Sequence, residues 1–176
     1  YFVPASNLNL DLVERYNKNI LTCTRQFAYS TQNSNTIDVV LSLNGIPIVA
    51  LELKNQLTGQ SVDNAKRQYM YDRDEKEFCF RFNNRFLVYF AVDLYEVAMT
   101  THLQGDKTYF LPFNQGSNGA GNVGDGGNPK CKDGYATSYL WERVLSPEML
   151  LSILQRSISK QTPESLALVK GRKVTS

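Results

Sequence analysis

The sequence predicts an α/β domain, a mixed sheet flanked by helices, and three observations carry the prediction. Residues 39–43 and 46–53 are apolar runs at strand spacing on either side of Asn44-Gly45, a hairpin signal. Residues 86–92 form a further apolar run of strand length, followed by shorter strand candidates at 96–101 and 109–113. Helical periodicity then recurs at three places. The first, about residues 9–20, carries Leu12, Val13, Tyr16 and Ile20 on one side. The second follows Ser61, a suitable cap, with Asp63 near its positive end and Val62, Ala65 and Tyr69 as its packing face. The third starts at Ser146-Pro147-Glu148 and presents Leu150, Leu151, Leu154 and Ile158.

Within the hairpin stand Asp38, Glu52 and Lys54, charged residues in sequence that otherwise reads as buried strand. Such side chains must be paired, solvated or metal-bound, because desolvating a lone carboxylate costs more than strand packing recovers. Strand alternation decides whether they meet. Val39, Leu41 and Leu43 make one apolar row and Val49, Leu51 and Leu53 another, and these rows are expected to share the core. Asp38, Glu52 and Lys54 then converge on the opposite face, where Val40, Ile48 and Ala50 give partial cover, as in a cleft. A plain two-residue loop at Asn44-Gly45 would put Asp38 opposite Leu51, on the wrong face. Agreement requires a three-residue loop or a nearby bulge, a feature frequent beside active sites.

Two convergent carboxylates and a lysine suit phosphodiester hydrolysis with magnesium or manganese, whose hard character favours oxygen ligands. From charge spacing alone, a cross-strand ion pair on a solvated face competes on equal terms. A glycosidase-like carboxylate pair leaves the lysine without a role.

The series Ile37-Asp38-Val39-Val40, Asn44-Gly45-Ile46-Pro47 and Leu51-Glu52-Leu53-Lys54-Asn55-Gln56-Leu57-Thr58-Gly59-Gln60 resembles the nuclease domain of the restriction subunit of type I restriction-modification enzymes, a family of PD-(D/E)XK nucleases. The resemblance continues through Ala65-Lys66-Arg67-Gln68-Tyr69, Phe86-Leu87-Val88-Tyr89-Phe90-Ala91-Val92, Met99-Thr100-Thr101, Phe110-Leu111-Pro112-Phe113-Asn114 and Thr137-Ser138-Tyr139-Leu140-Trp141-Glu142. It implies a restriction-endonuclease-like fold, Asp38 and Glu52 as ligands of Mg²⁺ or Mn²⁺, and Lys54 as the catalytic lysine. It also implies a Gln-x-x-x-Tyr element on the second helix. Gln68 matches its glutamine, whereas Asp72 stands at the tyrosine position, with Tyr71 one residue before it and Tyr69 next to Gln68. In related nucleases an acidic residue of the first helix approaches the metal. That makes Glu14 a candidate to test, but Glu14 and Lys18 also form an ordinary i,i+4 surface pair, the preferred reading.

The resemblance further implies double-stranded DNA as substrate, a motor domain of the same subunit that uses ATP, and methyltransferase and specificity subunits. No Gly-Lys-Ser/Thr phosphate loop occurs in the 176 residues, so the motor and its ATP site lie outside this chain. The principal expectation is a Mg²⁺-dependent endonuclease domain of a type I restriction enzyme. Its rival is a non-catalytic DNA-binding or subunit-assembly module that keeps the nuclease-like fold.

Length and composition agree with one soluble domain over residues 1–176. Nineteen basic and seventeen acidic residues leave a net charge of +2, so a DNA surface has to be local. Arg67, Arg73, Arg81, Arg85, Lys170, Arg172 and Lys173 are its candidates, each competing with simple solvated charge. Residues 114–134 hold seven of the eleven glycines and few apolar side chains, and are expected to form a long mobile loop. Lys130 and Lys132 are its cations, read as incidental surface charge rather than DNA contacts. Cys23, Cys79 and Cys131 make neither a CxxC pair nor an even disulfide set, which fits a reducing cytoplasm. A single histidine, His102, excludes a multi-histidine zinc site, and no apolar stretch is long enough to span a membrane.

Overall fold

The structure, a computed structural model, describes residues 4, 7–82, 84–131 and 134–159. It contains α1 (Leu10–Asn17), β1 (Leu21–Ala28), β2 (Thr36–Leu43), β3 (Ile46–Leu53), α2 (Val62–Arg67), β4 (Val88–Val92), β5 (Val97–Thr100), β6 (Leu111–Pro112) and α3 (Pro147–Ser159). The chain divides into two compact units, one made of Ile20–Tyr139 and the other of Tyr1–Asn19 with Leu140–Ser176. The larger unit carries a six-stranded sheet in the order β1-β2-β3-β4-β5-β6. Only the β3–β4 pair is parallel, bridged by α2 and the segment after it, so the sheet is mixed as expected.

The hairpin resolves its register conflict by a bulge. Asn44 and Gly45 adopt left-handed conformations, φ 51° and 82°, and make a tight two-residue turn that pairs Leu43 with Ile46. Pairing then slips between Leu41 and Ser42: Ser42 lies opposite Pro47 and Leu41 opposite Val49, leaving Ile48 as the extra residue. Beyond it Val39 pairs with Leu51, which brings Asp38 level with Glu52. The turn is also sewn to β1, because Asn44 Oδ1 accepts from the Ile20 N–H and the Asn44 N–H donates to the Ile20 carbonyl, both at 2.8 Å.

The main core lies on the other face from the one expected. Val39, Leu41 and Leu43 are only half-buried and Leu53 is exposed, whereas Val40 and Ala50 are fully enclosed. They pack in one cluster with Ile37, Val62, Ala65, Tyr69, Phe80, Phe86 and Tyr89. The reason is that α2 and the segment leading to β4 cover this face with aromatic rings, which bury more area than the aliphatic rows could. Tyr69 meets Tyr89 edge-on at 5.6 Å, and Phe80 stacks on Phe86 at 6.0 Å. Both faces of β3 are covered nonetheless: residues 48–52 are all buried. On the second face Phe90 packs edge-on against Phe113 at 5.4 Å, and the Tyr139 hydroxyl donates to the Phe113 carbonyl.

Strand β1 has no counterpart among the sequence expectations. It is an edge strand with nearly every side chain exposed, so its polar, unpatterned sequence gives no alternation to read. The expected first helix is shorter than its periodicity suggested. It runs from an Asn9 cap, whose Oδ1 accepts from the Leu12 N–H at 3.2 Å, to Asn17, with Ile20 outside it. Glu14 and Lys18 form the surface pair at 2.7 Å. In α3, Leu150, Leu151 and Leu154 are buried, while the Ile158 side chain lies outside the described residues.

Within the expected loop, residues 114–128 fold back on themselves. Gly116 N–H donates to the Gly127 carbonyl at 2.8 Å, and Asn128 ties the segment to the Tyr95 carbonyl and to Asn114 Oδ1 at 2.8 and 2.9 Å. Lys132 lies outside the described residues, as do Lys170, Arg172 and Lys173. Among the described residues no helix is long and apolar enough to cross a membrane, and Cys23, Cys79 and Cys131 are all free.

Gly45→Ala is expected to lower unfolding stability by about 1 kcal/mol in urea melts, the cost of placing a Cβ in a left-handed turn. Gly126→Ala, at an ordinary backbone conformation with nothing within 4 Å of the added carbon, is expected to be neutral in the same assay. Equal effects at the two glycines would show that the turn conformation is not what sets the hairpin.

Candidate functional site

The bulge aligns Asp38 and Glu52, and the end of the β2–β3 ladder separates their environments. The β2–β3 ladder stops at Val39–Leu51, while β3 stays paired with β4 as far as Leu53–Val92. Burial along β2 skips from Ile37 to Val40, so the alternation breaks across Asp38 and Val39. A fork opens at this point. The Asp38 carboxylate fills one side of it, with Oδ2 accepting from the Leu53 N–H at 2.8 Å and Oδ1 from Gln26 Nε2 at 3.3 Å. Gln26, at φ 50°, turns its other end to accept from the Thr36 hydroxyl at 2.7 Å.

Arg73 fills the other side. Its guanidinium donates twice to Glu52 Oε1, from Nε at 3.0 Å and from Nη2 at 2.5 Å, and Nη2 also donates to the Thr36 carbonyl at 2.8 Å. Nη1 reaches the Tyr29 hydroxyl at 3.4 Å, and the guanidinium carbon stands 5.3 Å from the centre of that ring. Glu52 is 0% exposed and Arg73 4% exposed. This corrects the reading of Arg73 as surface charge: a carboxylate buried in a central strand requires a cation, and Arg73 supplies it from the end of the helical segment packed above. The sequence signal for it was indirect, an arginine a little beyond the helix that follows the glutamate. Arg85 is likewise engaged, its guanidinium carbon 4.7 Å from the centre of the Phe78 ring. Arg67 is exposed.

The segment that delivers Arg73 begins at Ser61, whose N–H donates to Asn64 Oδ1 at 2.9 Å within a capping box. After Arg67 it widens into a π-helical turn, Gln68–Asp72, with Arg73 immediately following. Tyr69 points into the core, fully buried, and its hydroxyl lies 3.3 Å from the Phe90 carbonyl. Gln68, Tyr71 and Asp72 instead line an open cavity of about 350 Å³ with Lys54, Gln60, Asn64 and Arg67. Lys54 and Gln68 therefore share a pocket, and the residues that flank Gln68 there are Tyr71 and Asp72 rather than Tyr69.

A third carboxylate, without a counterpart among the sequence expectations, anchors this arrangement. Buried Asp93, at the end of β4, accepts from the Val62 N–H at 2.8 Å and from Gln56 Nε2 at 3.0 Å through Oδ2. Its Oδ1 accepts from the Tyr95 and Glu96 N–H groups, both at 2.8 Å. It thus fixes the start of α2 beside β4 and closes the β4–β5 turn.

Burial pushes the Glu52 carboxyl up to about 7, against the opposing charge and hydrogen bonds of Arg73; Asp38 adds to the rise and Lys54 reduces it. Burial also acts on Arg73, lowering its affinity for a proton, but the charge and hydrogen bonds of Glu52, with Tyr29, outweigh it and leave the guanidinium above its usual range. The Tyr69 hydroxyl is raised well above the normal phenol value by burial and by Glu52. Glu52 Oε2 is a buried oxygen with no hydrogen-bond partner among the described residues. No group of three or more histidine, cysteine, aspartate or glutamate residues capable of holding a metal occurs among them either. Of the Asp38 and Glu52 carboxylates at the fork, both Asp38 oxygens and Glu52 Oε1 accept hydrogen bonds, and Glu52 Oε2 does not.

Residues 7–108 match the family model described as Type I restriction enzyme R protein N terminus. No curated protein and no solved structure compared with the chain gives a match.

The elevated Glu52 group carries a pH signature. Between pH 4.5 and about 7 the folded chain holds a proton on Glu52 that the unfolded chain has released, so this group's contribution to stability falls as pH rises through that window. The loss is on the order of 3 kcal/mol across the window. Urea melts at successive pH values are expected to show this decline in the wild type and its absence in Glu52→Gln. Parallel curves for the two proteins would mean that Glu52 does not titrate in this range.

Proposed function

Since the chain belongs to the type I restriction enzyme R protein N-terminal family, we propose that it is the Mg²⁺-dependent endonuclease domain of such an enzyme, with its centre at the Asp38–Glu52 fork. The observation that carries this reading is the unpartnered, buried Glu52 Oε2 beside a second carboxylate, an acceptor that otherwise costs the fold stability. A magnesium ion takes one or two protein carboxylates and completes its shell with water and substrate phosphate, so two carboxylates at the fork suffice. When bound, the ion supplies charge neutralisation at the phosphate and a more acidic water.

The protein's own groups divide the remaining work. Asp38 and Glu52 would hold the ion, Asp38 with a carboxylate already oriented by Leu53 and Gln26, and Glu52 with the oxygen that has no hydrogen-bond partner. Lys54 follows Glu52 by two residues at the end of β3, its main chain tied to the Val92 carbonyl at 2.8 Å. From there its ammonium aligns the attacking water and stabilises negative charge growing on the phosphate oxygens. Water adds to phosphorus, the bond to the leaving oxygen breaks, and the products are a phosphomonoester and a free hydroxyl. Gln68, in the same pocket as Lys54, supports its placement, and exposed Arg67 supplies a charge suited to the DNA backbone.

Type I R proteins work in complexes with other subunits and with DNA, and on this reading the ATP-driven motor lies outside the chain while methyltransferase and specificity subunits choose the site. The cytoplasm is the compartment such an enzyme requires. A second reading has one specific observation in its favour: Glu52 already has a cationic partner in Arg73, as it would in a non-catalytic DNA-binding or assembly module.

Plasmid cleavage by the intact restriction complex separates the two. Asp38→Asn, Glu52→Gln and Lys54→Ala are each expected to reduce cutting by about 100-fold or more while ATP hydrolysis continues. Gln68→Ala is expected to lose about tenfold, as a supporting group would. Undiminished cutting by all three variants of the fork would assign the chain to the non-catalytic class.

A further inference from the structure

We propose that Arg73 is a positioning residue of the nuclease centre, committing Glu52 Oε1 to the protein so that Oε2 is left as the ligand oxygen. This rests on the nuclease reading above and adds to it a residue that contacts neither metal nor DNA. The geometry of the pair is its basis. An arginine that serves only to neutralise a carboxylate does so best with two parallel N–H groups on two oxygens, which satisfies both. Here Nε and Nη2 both converge on Oε1, at 3.0 and 2.5 Å, and Oε2 receives no hydrogen bond although it is buried.

The off-centre placement is built in from several sides. Nη2 is drawn to the Thr36 carbonyl at 2.8 Å, Nη1 points to the Tyr29 hydroxyl at 3.4 Å, and the Tyr29 ring lies against the guanidinium. The guanidinium is therefore used on three nitrogens while the carboxylate is used on one oxygen. Lysine cannot reproduce this, because a single ammonium is a point charge without the planar array that spans Glu52, Thr36 and Tyr29. Arg73 also follows directly on the Gln68–Asp72 turn, so the helical segment that lines the Lys54 pocket fixes the Glu52 carboxylate as well.

The test is Mn²⁺ binding to the intact restriction subunit with DNA bound and ATP withheld, followed by electron paramagnetic resonance, with Asp38→Asn/Glu52→Gln as the control that defines binding at the fork. In Arg73→Lys, half-saturation at the fork is expected to rise about tenfold or more, and the Mn²⁺ requirement of cleavage by the complex to rise with it. DNA affinity is expected to be unchanged. Tyr29→Leu, which keeps apolar bulk but removes the hydroxyl and ring from the guanidinium, is expected to shift half-saturation the same way by about threefold. It decides the matter should Arg73→Lys not fold. Unchanged Mn²⁺ affinity in the folded variants, even with a lower melting temperature, would overturn the positioning role and leave the nuclease reading standing. Wild-type binding no greater than the control's would overturn both.

Discussion

A carboxylate in the middle of a central strand has to be compensated from inside the fold, and the Glu52–Arg73 pair is the constraint around which this sheet is arranged. With both side chains excluded from water, loss of either would strand the other as an uncompensated charge, typically a penalty of 3–5 kcal/mol. The requirement reaches far along the chain. Arg73 arrives only because α2 lies over β3 and β4, and α2 starts where it does because Asp93 receives the Val62 N–H. A π-helical turn then carries the chain from Gln68 to the residue before the arginine. Thr36 and Tyr29, from β2 and the loop after β1, complete the enclosure.

The same region shows how a polar centre coexists with a core. Ladder hydrogen bonding between β2 and β3 ends one residue short of Asp38, and the N–H of Leu53 is taken up by the Asp38 side chain. The backbone N–H released by the fork is thereby satisfied by a side chain instead of the neighbouring strand. On the same face the aromatic cluster of Tyr69, Tyr89, Phe80 and Phe86 excludes water and raises the energetic weight of every charge beside it. Placing carboxylates next to such a wall is what moves Glu52 far from its usual titration range. The pocket of Lys54 and Gln68, by contrast, is open and polar, as access for a charged polymer requires.

Much of this was legible in the residues and some was not. Opposed apolar rows around Asn44-Gly45 demanded an irregularity in the hairpin, and it exists as the bulge at Ile48. Ser61 as a cap, Val62, Ala65 and Tyr69 as a buried stripe, and Gln68 beside Tyr71 and Asp72 all followed from helical spacing. The choice of main core face did not, because alternation identifies two faces but not which of them a helix and four aromatic rings will cover. Strand β1 is not legible in the sequence because an exposed edge strand carries no hydrophobic period. The burial of Arg73 and Asp93 is not legible, because a charged residue in a loop or at a strand end looks the same in sequence whether solvated or buried.

The order of amino acids alone was enough for the local preferences: strand periods, the turn at Asn44-Gly45, the helix start at Ser61, and two carboxylates and a lysine on neighbouring strands. Those depend on interactions between residues close in the chain, or on a two-residue period that any reader of the sequence can follow. Which partner neutralises Glu52, and that Oε2 is left without one, depended on bringing residue 73 against residue 52 and residue 36. Contacts across such separations are set by packing, where burial turns an ordinary charge into one that needs a specific counter-charge.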